Sequence, residues 1–160
     1  MIFVTLGSQK FQFDRLLKKI DELVEAGVIK DKVFAQIGAS TYTPKHYEYT
    51  NFLDREKFAE TMDSCNTVIT HGGTGVIIGA VKKGKKVIAV PRLAQYGEHV
   101  DDHQLQLLHQ FDELGIICAC YDLEQLGTSY QTALNTEYRT YQSNTTVIIQ
   151  SIEEYLESLA

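Results

Sequence analysis

The stretch Thr67-Val-Ile-Thr-His-Gly-Gly-Thr-Gly-Val-Ile-Ile-Gly-Ala-Val81 decides how the chain is read. Thr67 to Thr70 is a short β-branched run, the pattern of a strand covered on both faces. His71-Gly72-Gly73-Thr74-Gly75 then reverses the chain with residues that let backbone approach a neighbour closely. Val76 to Val81 carries no early breaker and continues as a helix. A helix that begins at such a turn points unpaired N–H groups and the positive end of its dipole outward, which favours an anion such as a diphosphate. The plain alternative is a tight turn with a hydrogen-bonded histidine. Two glycines flanking a threonine at a helix start exceed what that alternative needs.

The same alternation extends in both directions. Ile2 to Leu6 is an apolar strand ended by Gly7-Ser8, and Leu16, Leu17, Ile20, Leu23 and Val24 follow helical spacing up to Gly27. Val33 to Ile37 is a second buried strand, Ala39 to His46 a loop, and Tyr47 to Phe52 a β-prone stretch. Asp54 caps a short helix carrying Phe58 and Met62. After the opening stretch, Gly84 ends the helix and Val87 to Val90 is a strand closed by Pro91. A polar loop from Arg92 to Glu98 leads to a helix bearing Leu105, Leu108 and Phe111, and Gly115 to Ala119 forms a late strand. Tyr121 to Tyr141 shows only a short helix near Leu123 to Leu126. Ile148, Ile149, Ile152, Tyr155, Leu156 and Leu159 then line one face of an amphipathic helix that Asn144 or Thr145 can cap. Short apolar strands alternating with helices imply an α/β fold, a Rossmann-like parallel sheet with helices on both faces. Ligands of such sheets bind at the carboxyl ends of the strands, where Gly7-Ser8, His71-Gly75 and Pro91-Glu98 would gather.

Composition sets the class. The 160 residues fit a single domain, 1–160, with 44% apolar and 22% charged residues, ordinary for a globular protein. A net charge of −6 argues against nucleic acid, which calls for a concentrated basic face. Three cysteines form no CxxC; Cys118 and Cys120, two apart, share one face of a strand and read as reduced core residues. A reducing, cytoplasmic compartment is the expectation. The start has no basic region followed by an apolar run, so no signal peptide is expected, and no window is long enough to span a membrane.

Three near-matches fail on identifiable residues. Gly79-x-x-x-x-Gly84-Lys85 continues with Lys86 where a phosphate loop needs Ser or Thr, and it precedes a strand. Gly73 and Gly75 begin a dinucleotide fingerprint, but Ile78 stands in place of its third glycine. His99-Val-Asp-Asp-His103 spaces two histidines four apart, yet Val100 replaces the peptidase glutamate and no distal third ligand stands out, so no metal site is assigned. Lys82, Lys83, Lys85 and Lys86 could meet anionic lipid headgroups, but cations at a helix C-terminus are the simpler reading.

Val4-Thr-Leu-Gly-Ser8, Thr70-His-Gly-Gly-Thr-Gly75, Val90-Pro91 and Gly97-Glu-His-Val-Asp-Asp-His-Gln104, in this order and spacing, resemble the C-terminal, nucleotide-sugar-binding half of family 28 glycosyltransferases with GT-B architecture. The chain is similar above all to the small soluble subunits of two-component enzymes. These are the bacterial exopolysaccharide galactosyltransferases and the eukaryotic dolichol-linked N-acetylglucosaminyltransferase. The resemblance implies a UDP-sugar donor held by Gly7, Ser8, His71, Gly72, Gly73, Thr74, Gly75 and Gln104. It implies Glu98, His99 and Asp102 as catalytic residues on one loop beside the donor sugar. Where relatives commonly carry a ribose-holding glutamate in the helix after the glycine turn, this chain has Gly79.

The function so implied is transfer of a hexose, galactose or N-acetylglucosamine, from UDP to a lipid-linked acceptor in polysaccharide biosynthesis. No cofactor or metal is called for, because backbone N–H groups can stabilise the leaving diphosphate. The acceptor and general base belong to the other half of a GT-B fold, so a membrane-anchored partner subunit is expected. The chain would then sit in the cytoplasm, peripheral to the membrane, and a homodimer of the isolated chain is compatible with this. Two alternatives belong to other classes: a non-catalytic enhancer that stabilises the partner, and a fragment of a nucleotide-sugar epimerase, which needs two lobes in one chain.

Overall fold

The computed structural model describes residues 1–6, 12–71, 74–91, 93 and 103–136. Its strands are β1 (Ile2–Thr5), β2 (Val33–Gln36), β3 (Glu48–Thr50), β4 (Thr67–Thr70), β5 (Lys86–Ala89) and β6 (Cys118–Ala119). Its helices are α1 (Asp14–Glu25), α2 (Arg55–Ser64), α3 (Thr74–Lys82), α4 (His103–Glu113) and α5 (Leu126–Leu134). The strands form one sheet in the order β3-β2-β1-β4-β5-β6, and every neighbouring pair is parallel.

Because side chains alternate across a strand, each central strand feeds two cores. Ile2, Val4, Ile69 and Ile88 face α1 and α5, where they meet Leu16, Leu17, Ile20, Leu126 and Tyr130. Phe3, Val68, Val87 and Ala89 face the other way, against Met62 of α2, Ile77 and Ala80 of α3, and Leu108 and Phe111 of α4. Strands buried on both faces have no polar side to show, hence the continuous apolar runs of the sequence. Order reverses between β1 and β4: from β1 the chain runs outward through α1 to β2, and from β4 through α3 to β5. Right-handed crossovers in opposite directions must lie on opposite faces, which is where the two cores place α1 and α3.

Among the described residues the expected elements are present, with two main differences. Gly115 sits at φ +71, a left-handed residue that ends α4, so the late strand shrinks from the expected Gly115–Ala119 to Cys118–Ala119. Ile116 and Ile117 are buried without being in the strand. A full helix, α5, follows the short 3₁₀ turn at Leu123–Gln125, where only a short helix was expected. The expected C-terminal helix, Ile148 to Leu159, lies outside the described residues. Asp54 caps α2 as expected, accepting from the backbone N–H of Lys57 at 2.7 Å. Cys118 and Cys120 are free and pack on the α1/α5 side, and burial pushes the Cys120 thiol up, away from the reactive thiolate.

The lysine run is used within the fold. Lys82 lies in the last turn of α3, and Lys83 Nζ is 2.6 Å from Asp63 Oδ1. Lys86 Nζ donates to the carbonyls of Ala133 and Leu134 at 2.9 Å each, so a strand lysine caps the C-terminus of α5.

Between β2 and β3 the crossover is a loop instead of a helix, and its backbone polar groups need other partners. Two carboxylates of α1 supply them. Asp14 accepts from the N–H groups of Thr41 (2.7 Å) and Tyr42 (2.9 Å) and from the Thr41 hydroxyl (2.5 Å). Asp21, only 3% exposed, accepts from the Tyr42 hydroxyl at 2.6 Å and from the N–H groups of Lys45 and His46 at 2.9 and 2.8 Å. His46 Nδ1 lies 3.0 Å from the same carboxylate. Burial alone would raise the Asp21 pKa, but these hydrogen bonds outweigh it and hold the carboxyl below the ordinary 3.8. The Tyr42 hydroxyl, donating to Asp21, is pushed up to about 12.

Asp21→Ala removes the shared acceptor of several partly buried donors at once and is expected to cost about 3 kcal/mol in urea unfolding. Folded Asp21 binds a proton less readily than the unfolded chain does. Its contribution is therefore complete at neutral pH and disappears as pH falls below 3.8 through the folded value. Wild type should lose stability over that acid range faster than Asp21→Ala; parallel curves would contradict the assignment.

Candidate functional site

In an open α/β sheet the ligand crevice forms at the carboxyl ends of the strands, where the strand order reverses. Here that point lies between β1 and β4. Thr5 and Thr70 end the two strands in register and are both fully buried. The Thr70 hydroxyl donates to the Thr5 carbonyl at 2.7 Å, and the Thr70 carbonyl accepts from the Val90 N–H at 2.9 Å. The ends of β1, β4 and β5 are thus tied side by side through one residue. His71, the next residue, is 4% exposed, and α3 starts at Thr74.

Two helices begin at this edge beside the reversal, α1 and α3, and their amino ends differ. At α1 two backbone donors are taken by side chains. The Phe13 N–H donates to Ser40 Oγ at 2.9 Å and the Asp14 N–H to Gln12 Oε1 at 2.8 Å. Asp14 also puts a carboxylate in the first turn, where it opposes a second anion. The first turn of α3 carries no acidic residue. Gly75, in that turn, is exposed, and a Cβ built on it would meet nothing among the described residues within 4 Å. Of the two helix starts flanking the reversal, α1 carries an acid in its first turn and α3 does not.

The site residues expected from the sequence divide accordingly. His71, Thr74 and Gly75 lie together between the end of β4 and the first turn of α3. Gln104 lies in the first turn of α4, which begins at His103 after β5 and likewise carries no acid there. Gly7, Ser8, Gly72, Gly73, Glu98, His99 and Asp102 lie outside the described residues. Thr5 and Thr70 were not singled out by the sequence reading; the signal was a threonine in an apolar strand, whose hydroxyl must find a partner when buried. Among the described residues no three of His, Cys, Asp and Glu form a group that could hold a metal ion. Two clefts of about 300 and 410 Å³ lie at the opposite edge, by Met1 and Lys32 and by Asn66 and Lys85 respectively. Both are at the amino ends of the strands, away from the reversal.

Gly79, where relatives commonly place a glutamate, is half-buried inside α3, with nothing within 4 Å of a Cβ built there. No close contact among the described residues demands glycine at this position. Among the described residues no helix is long and apolar enough to cross a membrane.

A six-stranded parallel sheet of this order, open at the β1/β4 reversal, is a doubly wound, Rossmann-like fold, the architecture of the C-terminal lobe of GT-B glycosyltransferases among others. Residues 1–158 match the glycosyltransferase family 28 C-terminal domain, and the chain belongs to that family. It is 27% identical over 134 residues to the mouse UDP-N-acetylglucosamine transferase subunit ALG13, and 26% over 132 residues to the human one. Each alignment covers 74% of this chain; the mouse match covers 10% and the human match 11% of the relative. The chain therefore matches about a tenth of the length of these curated relatives. Among solved structures, the solution structure of ALG13 superimposes with a TM-score of 0.56 at 17% identity, covering 87% of both chains. The glycosyltransferase of kitacinnamycin gives a TM-score of 0.59 at 16% identity, covering 98% of this chain and 39% of its own. At these identities the likeness is one of fold.

Gly75→Asp separates anion binding from folding. It removes a helical glycine and adds a charge the dipole favours, so thermal stability should hold or rise by about 0.3–1 kcal/mol. The same charge repels a bound diphosphate, so titration with UDP should lose its signal. Undiminished UDP binding would remove α3 as the anion site.

Proposed function

We propose that this chain is the donor-binding subunit of a heteromeric glycosyltransferase. It binds a UDP-sugar and takes part in transferring the hexose, galactose or N-acetylglucosamine, to a lipid-linked acceptor presented by a membrane-anchored partner. The observation that carries the reading is the asymmetry of the two helix starts at the strand reversal: α1 is closed by Asp14, Gln12 and Ser40, and α3 opens without an acid. A diphosphate set against α3 has its developing charge met by fixed N–H dipoles as the glycosidic bond breaks, a stabilisation that needs no metal ion. Gly7 and Ser8, which follow β1 in the sequence, and Gly72 and Gly73, which precede α3, are the residues we assign to the diphosphate. Glu98, His99 and Asp102, between β5 and α4 in the sequence, are the residues we assign to the donor sugar.

The acceptor hydroxyl needs a general base, and in a two-lobed GT-B enzyme it approaches from the facing lobe. Membership of the family's C-terminal domain and similarity to a transferase subunit both support a partner that supplies that lobe. The chain would then reach the membrane surface on its cytoplasmic side through that partner.

Gly79 favours a second reading, a subunit that stabilises its partner without binding donor. It removes the carboxylate that would fix the ribose, and nothing packed nearby requires the glycine. Calorimetric titration with UDP and UDP-sugars separates the two. Donor binding predicts saturable heat with UDP at or below millimolar concentration, and tighter binding when the partner is present. No heat at millimolar UDP, with or without the partner, would leave the enhancer reading.

A further inference from the structure

We propose that Thr70 is a positioning residue for the donor site: its hydroxyl fixes the spacing between the segments that leave β1 and β4 toward the ligand. The inference rests on the donor-site reading above. In most of a parallel sheet the spacing of two strands is kept by the backbone ladder alone. At the β1/β4 reversal the two chains part, one toward α1 on one face and the other toward α3 on the opposite face. Thr5 and Thr70 form the last register pair before they separate.

At that pair a side-chain bond is added to the ladder. The Thr70 hydroxyl donates to the Thr5 carbonyl at 2.7 Å, with both residues fully buried. Valine has the same shape as threonine and suits a buried strand better, because burying a hydroxyl is unfavourable unless it is bonded. The bond accounts for threonine here. Its position gives it consequence: Leu6 and Gly7 follow Thr5, and His71 and the glycine turn follow Thr70. The Thr70 carbonyl also receives the Val90 N–H at 2.9 Å, which brings the start of the β5–α4 segment into the same frame. A ligand gripped from two strand ends binds best when their separation is set beforehand, because ordering the loops on binding costs affinity. Thr70 acts through Leu6–Gly7 and His71, without touching the ligand.

The test compares Thr70→Val, Thr70→Ser and Thr67→Val by UDP titration and thermal unfolding. Thr67 is a buried threonine at the other end of β4 and serves as the control for losing a hydroxyl from that strand. The expected result is a loss of about tenfold or more in UDP affinity for Thr70→Val, with Thr70→Ser within about twofold of wild type. Thr67→Val should bind as wild type. If Thr70→Val does not fold, Thr70→Ala against Thr70→Ser makes the same comparison. Wild-type affinity in Thr70→Val overturns the proposal, as does an affinity loss shared by Thr67→Val and tracking stability. A wild type that fails to bind UDP overturns the donor-site reading and this inference with it, whereas a binding wild type with an indifferent Thr70→Val overturns this inference alone.

Discussion

A parallel sheet covered on both faces by right-handed crossovers has to change direction somewhere, and the pair of strands where it does so cannot be closed over by a helix. In this chain that pair is β1 and β4, and the rest of the architecture follows from it. The two strands are the most thoroughly buried of the sheet, with every residue of each inaccessible or nearly so. Their alternating side chains divide the interior into two cores that share no residue. Burial on both faces stabilises the strands and also forces α1 and α3 apart, which opens the crevice at their carboxyl ends. Stability and site are products of one constraint.

Geometry alone would offer a ligand two helix starts there. Charge and hydrogen bonding reduce them to one. Asp14 and Ser40 serve a structural purpose at α1, holding the loop that replaces a helix between β2 and β3. In doing so they consume donors and place negative charge where a diphosphate would otherwise sit. The first turn of α3 carries no acid, and among the described residues nothing lies within 4 Å of a Cβ built on Gly75. Specialisation of one helix start for the fold leaves the other for a ligand.

Much of this was legible in the residues. β1, β2, β4 and β5 announce themselves as apolar runs because they are buried on both faces, and the glycine turn announces the helix start. β6 is shorter than its sequence suggests because Ile116 and Ile117 look like strand, whereas Gly115 in its left-handed conformation belongs to the end of α4. α5 was missed because Gly127, Thr128, Ser129 and Thr132 are weak helix formers. Its buried residues Leu126, Tyr130 and Ala133 nonetheless keep helical spacing, and packing on β5 and the sheet overrides propensity. At the site, the end of β4 and the helix that follows the glycine run could be read from local sequence. The Thr5–Thr70 tie and the closing of α1 by Ser40 could not, because each joins residues far apart in the chain: 65 residues for the first and 27, between Phe13 and Ser40, for the second.

The central claim is that α3, and not α1, receives the diphosphate. Amide chemical shifts followed during a UDP titration of the isotope-labelled chain address it directly. The account predicts concentration-dependent shifts at Thr74 and Gly75, with the amides of Phe13 and Asp14 unmoved. Shifts centred on Phe13 and Asp14, or none at Thr74 and Gly75 at saturating UDP, would contradict it.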